Sequence, residues 1–325
     1  MSSTPPSHAT TSAATHAAPV AVQPLPVQVE REGPYANIAV VMLEQPGKPV
    51  VVLDHPLIQR LEAAIKGLPG GLRGLILASA SDRVFVAGAD LKSISEWDDD
   101  QLHRYLAYGS QVFGLLSQLP FPTVAAINGA ALGGGLELAM HCDGLIASPP
   151  ASKDGAPGKP YPVGLPEAGL SLCPGWGGTN LLPARMDPSR ALALTAAGTP
   201  MTFDQAKEAG LFDDLAGSAA ELLETCKKWI VARSASRTVR DGAPSRWIGR
   251  GAVSPKVMDA LSKVKIEVTM TPPARAVFDA ADTGLSRGWQ AALEVEQRHL
   301  VHLRHTPPSR AALAAFFAKS APPKA

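Results

Sequence analysis

The sequence predicts an α/β protein whose last third is helical. Three observations predict it. Short apolar runs suited to strands alternate with stretches of helical periodicity as far as about residue 215, the pattern of a mixed α/β core. Past Ala216 the strand-like runs cease and helical periodicity alone continues. Hydrophobic residues make up 46% of the 325 and charged residues 18%, which suits a large buried core and argues against a disordered or fibrous chain. The chain divides accordingly into a tail over 1–24, an α/β core over 25–216 and a helical region over 217–325.

Taken in order, "MSSTPPSHATTSAATHAAPVAVQP" is rich in Ser, Thr, Ala and Pro. It lacks a basic start, an apolar block and any arginine, so it reads as a disordered tail and neither a secretory signal nor a transit peptide. "NIAVVML" (Asn37 to Leu43) suits a strand, and after the turn "EQPGKP" the stretch "HPLIQRLEAAIKGL" has helical periodicity. "LRGLILAS" and "RVFVAGADL" are strand candidates, the second ending in a glycine turn. "DDDQLHRYLAYGSQVFGLLSQL" is a long helix whose acidic start complements the positive helix N-terminus. "FPTVAAING" is a strand leading into a glycine-rich turn, and "CDGLIAS" a strand after it. Pro149 to Pro162, rich in Pro, Gly and Lys, is a surface loop. Beyond it, "SAAELLETCKKWIVARSA", "PPARAVFDAAD", "GWQAALEVEQRHLVHLRH" and "SRAALAAFFAK" are helices of a C-terminal appendage.

The bulk properties narrow the partners. Thirty Lys and Arg against twenty-nine Asp and Glu leave a net charge of +1, no electrostatic reason to expect nucleic acid or a membrane surface. No run reaches the ~18 apolar residues of a membrane span. Cys142, Cys173 and Cys226 are odd in number, widely spaced and without a CxxC pair, as expected of reduced thiols in a cytoplasmic protein. The stretch from Lys227 to Arg250 carries two lysines and five arginines against one aspartate, and reads as a solvated face.

The chemistry concentrates in three glycine-bearing turns. In "ALGGGLELAMHC" three glycines, Gly133 to Gly135, open a helix despite their entropic cost. The first amides of such a helix lack acceptors, and a bare backbone lets a ligand atom come close. A side chain at Gly134 would occupy that space. Glu137 follows one turn later on an apolar run, an expensive place for a carboxylate without a task. "FVAGADLK" ends a strand and presents Ala89 in a second turn. Two turns that each offer a free amide can hold one oxygen between them, an oxyanion hole. "GLPEAGLSLCPGWGGT" adds Glu167 among apolar residues and a tight turn at Gly175, Gly177 and Gly178. Two carboxylates sharing a water, Glu137 and Glu167, can accept one proton while donating another. Trp176 suits either pocket or core, and His103, His141 and His305 carry no motif.

These three blocks, in this order, resemble the signature blocks of the enoyl-CoA hydratase/isomerase (crotonase) superfamily over Val27 to Ala216. "QPGKPVVVL" and "EVEQRHLVHLRHTPPSRAALAAFF" look most like the hydratase half of bifunctional fatty-acid β-oxidation enzymes, and without a G-x-G-x-x-G their dehydrogenase half is not expected. The resemblance implies a spiral of strand–strand–helix turns followed by helices, and a homo-oligomer, a trimer or hexamer. It implies that the amides of Ala89 and Gly134 hold the thioester oxygen of an acyl-CoA, that Gly175 helps to place water, and that Ala87, Gly88, Asp90, Leu91 and Lys92, with Lys48 near the nucleotide end, contact CoA. Coenzyme A is then part of the substrate, with no separate cofactor and no metal. The implied reaction is hydration of a 2,3-enoyl-CoA to 3-hydroxyacyl-CoA, with Glu137 polarising the water and Glu167 delivering a proton to C2, the two roles being exchangeable. A Δ3–Δ2-enoyl-CoA isomerase or other acyl-CoA lyase of the same fold, and a non-catalytic acyl-CoA-binding protein, are the alternatives. Three departures stand out: Val51 where many relatives have Asn, about ten extra residues in the loop before Glu167, and "TNLLPARM" in place of "TxRLPR".

Overall fold

Alternation along the central strands sorts their side chains onto two faces, and both are covered. The computed structural model describes residues 22–48, 50–151, 158–233 and 238–320. The expected tail lies outside the described residues up to residue 21, as do residues 152–157 of the Pro149–Pro162 loop.

The strands are β1 (Val27–Val29), β2 (Ile38–Leu43), β3 (Gly74–Ser79), β4 (Val84–Val86), β5 (Thr123–Ile127), β6 (Ala130–Leu132), β7 (Gly144–Ala147), β8 (Pro162–Gly164), β9 (Met201–Thr202) and β10 (Asp214–Leu215). They form a six-stranded sheet ordered β1-β2-β3-β5-β7-β10 and a four-stranded sheet ordered β4-β6-β8-β9. β1 pairs antiparallel with β2, and the rest of the large sheet is parallel. In the small sheet β4, β6 and β8 are parallel and β9 is antiparallel.

The early helices are α1 (His55–Lys66), α2 (Leu91–Glu96), α3 (Asp99–Gln118) and α4 (Gly134–Met140), followed by α5 (Gly178–Leu181), α6 (Pro188–Ala197) and α7 (Phe203–Glu208). The chain therefore winds as a spiral. Each turn lays one strand in the large sheet and the next in the small one, β3 then β4, β5 then β6, β7 then β8, before a helix returns it. The "FPTVAAING" run is thus β5 alone, and after a corner at Asn128 and Gly129 the chain passes into β6 of the other sheet.

Side-chain alternation explains why the parallel strands read as continuous apolar runs. Ile38, Val40, Ile76, Val124 and Ile146 face one core, while Ala39, Val41, Leu75, Leu77 and Leu145 face the other. The first core is closed by α8 (Leu222–Arg233), through Cys226, Trp229 and Ile230.

The remaining helices are α9 (Ser254–Glu267), α10 (Pro272–Arg287), α11 (Trp289–Leu303) and α12 (Pro307–Ser320). They are no appendage. α10 and α11 pack on each other and on α5, α11 also on α3, and α12 against α2. The basic stretch, expected as a solvated face, is in part paired within the protein. Arg240 pairs with Asp143 (2.8 Å), Arg246 with Asp213 (2.5 Å), Arg250 with Asp241 (2.7 Å) and Lys227 with Glu30, while Arg233 lies over the Trp229 ring. Among the described residues most of its basic groups pair with acids, several of them far away in sequence. Cys142, Cys173 and Cys226 are buried free thiols. Among the described residues no helix is long and apolar enough to cross a membrane.

Candidate active site

Three turns of the spiral end at one cavity of about 630 Å³, within the size range of small-molecule sites. The β4–α2 turn supplies the first wall. Leu53 donates its N–H to Gly88 O (2.9 Å) and accepts from Asp90 N–H (3.1 Å), the two bonds of a parallel bridge centred on Ala89. In that pattern the N–H of Ala89 itself points away from Leu53, and Ala89 lines the cavity. Gly88 holds φ +116°, and a Cβ there would press on the Leu132 carbonyl at 3.2 Å, so this turn requires glycine. The Asp90 side chain caps α2, accepting from Lys92 N–H (3.1 Å) and the Ser93 hydroxyl (2.6 Å).

The second wall is the start of α4. Gly133, at φ +51°, donates to Gly164 O (2.9 Å) and accepts from Glu137 N–H, which leaves the amide of Gly134 at the first helical position without an intrahelical acceptor. Gly134 also lines the cavity. The reason for glycine at 134 differs from the one its sequence suggests. A Cβ there would fall closer than 3.0 Å to the Trp176 ring, so the space it spares belongs to the protein's own indole. A Cβ on Gly133, in contrast, would collide with Glu167 Oε1.

The third wall is the segment from Glu167, which opens a 3₁₀ turn over Glu167–Leu170, to α5. Glu137 is 1% exposed. Its Oε1 accepts the N–H groups of Trp176 and Gly178, both at 2.8 Å. Burial and the neighbouring carboxylates of Glu296 and Glu167 push its carboxyl well above the usual range, and the two amides partly offset this. Glu167 keeps some exposed surface, but its Oε2 is enclosed and without a partner among the described residues. Burial first, then the charge of Glu296, push it up to about 8. No described ion pair neutralises Glu137, Glu167 or Glu296. Like charges in one desolvated site cannot all ionise near neutrality, so the group holds a proton that it can donate.

Ala87, Gly88, Asp90, Leu91 and Lys92 line the cavity with Ala89, Gly134, Glu137, Glu167 and Gly175. Lys48 does not line it. Its Nζ pairs at 2.7 Å with Asp54, whose carboxylate also accepts Leu57 N–H and caps α1. Trp176 is both pocket and core. Its ring lines the cavity, is 1% exposed and donates Nε1–H to Leu106 O (3.0 Å). Ile94, Leu106, Leu172, Leu300, Phe316 and Phe317 make the rest of the wall apolar.

The histidines stay outside the chemistry. His141 is buried with Nε2 3.0 Å from Trp176 O, and burial lowers it to about 4, so it is neutral. His305 pairs with Asp99, and His103 sits on the Asp99 carbonyl. The loop before Glu167 leaves the site's frame in register: β8 returns alongside β6, with Val163 opposite Ala131 and Gly164 opposite Leu132.

Sequence reasoning missed Glu296. It lies on α11, fully buried, and accepts Gly177 N–H at Oε2 (2.5 Å), Thr179 N–H at Oε1 (2.9 Å) and the Thr179 hydroxyl. Burial pushes it up to about 7, while the hydrogen bonds from Thr179 and Gly177 oppose the rise. The signal was a glutamate within the apolar stripe Ala292, Leu293, Val295, Leu300 of a strongly amphipathic helix.

Comparison with known proteins agrees with this geometry. Residues 33–241 match the family model described as enoyl-CoA hydratase/isomerase. Among solved structures the chain is similar to an enoyl-CoA hydratase from Bacillus anthracis at 25% identity and a TM-score of 0.55, covering 90% of this chain and 96% of that one. It is similar in fold to human mitochondrial delta3-delta2-enoyl-CoA isomerase, at 20% identity and a TM-score of 0.63, covering 90% and 97%. An enoyl-CoA hydratase from Mycobacterium avium subsp. paratuberculosis matches at 21% identity and a TM-score of 0.58, covering 94% and 100%.

Proposed function

Because the chain belongs to the enoyl-CoA hydratase/isomerase family, we propose that it is an enoyl-CoA hydratase, adding water across the 2,3-double bond of an enoyl-CoA thioester. One observation carries this reading: two amides free of backbone partners, from Ala89 and Gly134, share a cavity with two carboxylates, Glu137 and Glu167. The thioester oxygen sits between the amides. Negative charge grows on it as the alkene is attacked, so these donors favour the transition state over the ground state.

The two carboxylates then divide the water. Glu137, its Oε1 held by two amides that favour its ionised form, takes a proton from the water whose hydroxyl adds to C3. Glu167, whose Oε2 has no donor, carries the proton that goes to C2. Water has then been added as hydroxyl and proton, with one proton moved from Glu167 to Glu137, and exchange between them restores the resting form. Gly175 leaves the water room on the cavity side, and the backbone from Ala87 to Leu91 with Lys92 receives CoA. Coenzyme A enters as part of the substrate. The buried free thiols favour a cytoplasmic setting, and the family resemblance favours a trimer or hexamer.

Loss of the enone absorbance of crotonyl-CoA, and of longer 2-enoyl-CoA esters, tests the proposal. Glu137→Gln should lower kcat at least ~100-fold, the scale of general acid/base assistance. If the wild type leaves every 2-enoyl ester intact but converts a 3-enoyl ester, the isomerase reading replaces this one. Tight acyl-CoA binding without any turnover would instead make the protein a binder.

A further inference from the structure

The turn from Trp176 to Thr179 is gripped from both sides. Its successive amides alternate between two carboxylates: Trp176 and Gly178 donate to Glu137, Gly177 and Thr179 to Glu296. Gly177, at φ +100°, makes this possible by turning the chain where a Cβ would strike Trp289. Glu137 lines the cavity and Glu296 does not. Glu296 is 0% exposed and forms no described ion pair, although a buried carboxylate without a cation is costly and an amide or apolar residue would serve packing better.

We propose that Glu296 is a positioning residue for hydration: it fixes the turn that seats Glu137 Oε1, and its negative charge across that turn keeps a proton within the Glu137–Glu167 couple. This rests on the hydratase reading of the site. The surroundings leave that charge unanswered. α4 places Glu137 within reach of its charge, the 3₁₀ turn Glu167, and the segment before α5 Cys173, whose thiol burial holds neutral. From α10, Asp279 is paired with His299 (2.7 Å), and Asp282 with Lys265. On the α3 side Asp99 is paired with Arg304 and His305, and Ser110 bonds Gln297 (2.9 Å). Among the described residues none of these cations forms an ion pair with Glu296.

Glu296→Gln removes the charge at nearly constant shape. The expected result is a kcat about tenfold lower, from looser placement of Glu137, with KM for the enoyl ester within about twofold. The acid limb of the pH profile of kcat/KM should also move down by about one pH unit, because a carboxylate loses its proton more easily once a like charge beside it is gone. Glu296→Asp keeps the charge and should restore the limb. Thr179→Val, which removes the hydroxyl that donates to Glu296 and accepts from Asn180 Nδ2 (2.9 Å), should shift the limb in the same direction by less, and it decides the matter if Glu296→Gln does not fold. A purely structural Glu296 predicts superimposable limbs in all variants, with kcat falling only as the folded fraction falls; that result overturns the proposal. Infrared titration of the protonated carboxyl band reads the shared proton without substrate. It decides the proposal even if the wild type hydrates no enoyl ester, which is the outcome that overturns the functional reading instead.

Discussion

Replacing Glu167 by Gln should make the protein more stable above pH 6 while disabling it. In the fold burial and the charge of Glu296 push this carboxyl up to about 8, against 4.5 for an unperturbed glutamate. Between those values the unfolded chain has released the proton and the folded one has kept it, so each pH unit costs the fold about 1.4 kcal/mol. The group's contribution is therefore fully favourable below pH 4.5 and declines as pH rises towards 8. At pH 7 the accumulated cost is about 3 kcal/mol. Glutamine cannot ionise and escapes it. The new amide replaces an oxygen that has no described partner, and an unsatisfied N–H there returns about 1–2 kcal/mol. The net expectation is a gain of about 1–2 kcal/mol at pH 7, larger at pH 8 and absent or reversed at pH 5. Urea unfolding at pH 5, 6, 7 and 8 measures this slope, and crotonyl-CoA turnover should fall at least ~100-fold in the same protein. A stability difference that stays flat from pH 5 to 8 would refute the electrostatic account of Glu167, and a kcat within tenfold of wild type would refute its role.

Gly133→Ala places a Cβ against Glu167 Oε1 at φ +51°, so kcat should drop more steeply than stability, which should fall by about 1–3 kcal/mol; turnover and urea midpoints measured on one preparation separate the two. Arg240→Ala strips Asp143 of its bidentate partner (3.0 and 2.8 Å), while that carboxylate still holds Thr123 N–H (2.9 Å). A loss of about 3 kcal/mol in chemical denaturation is expected, with KM unchanged. Lys48→Ala removes an ion pair outside the cavity and should leave KM for enoyl-CoA within about twofold, with stability lowered by under about 1 kcal/mol; a tenfold rise in KM would return Lys48 to the CoA site.

The central elements were legible because their signals are local. The acidic start of α3 marks its cap, where Asp98 and Gln101 close a capping box, and the apolar runs of β2, β3, β5 and β7 mark strands buried on both faces. β6 was hidden, since, only three residues long, it follows β5 after a two-residue corner and belongs to a second sheet. α9 was missed for a related reason: its basic surroundings masked a stripe of Val257, Ala260, Leu261 and Val264.

The sequence by itself determined which backbones could come close and which carboxylates were out of place. Both are properties of residue type and near neighbours: glycine where φ is positive, an acid where the run is apolar. The tertiary structure decided what those groups meet. It placed Trp176 where a ligand seemed to need the room beside Gly134, turned Lys48 towards Asp54, spent Arg240 and Arg246 on the buried side chains of Asp143 and Asp213, and brought Glu296 across 119 residues of chain to Gly177. Contacts of that kind depend on how helices pack over the sheets, and no short window of sequence encodes the packing.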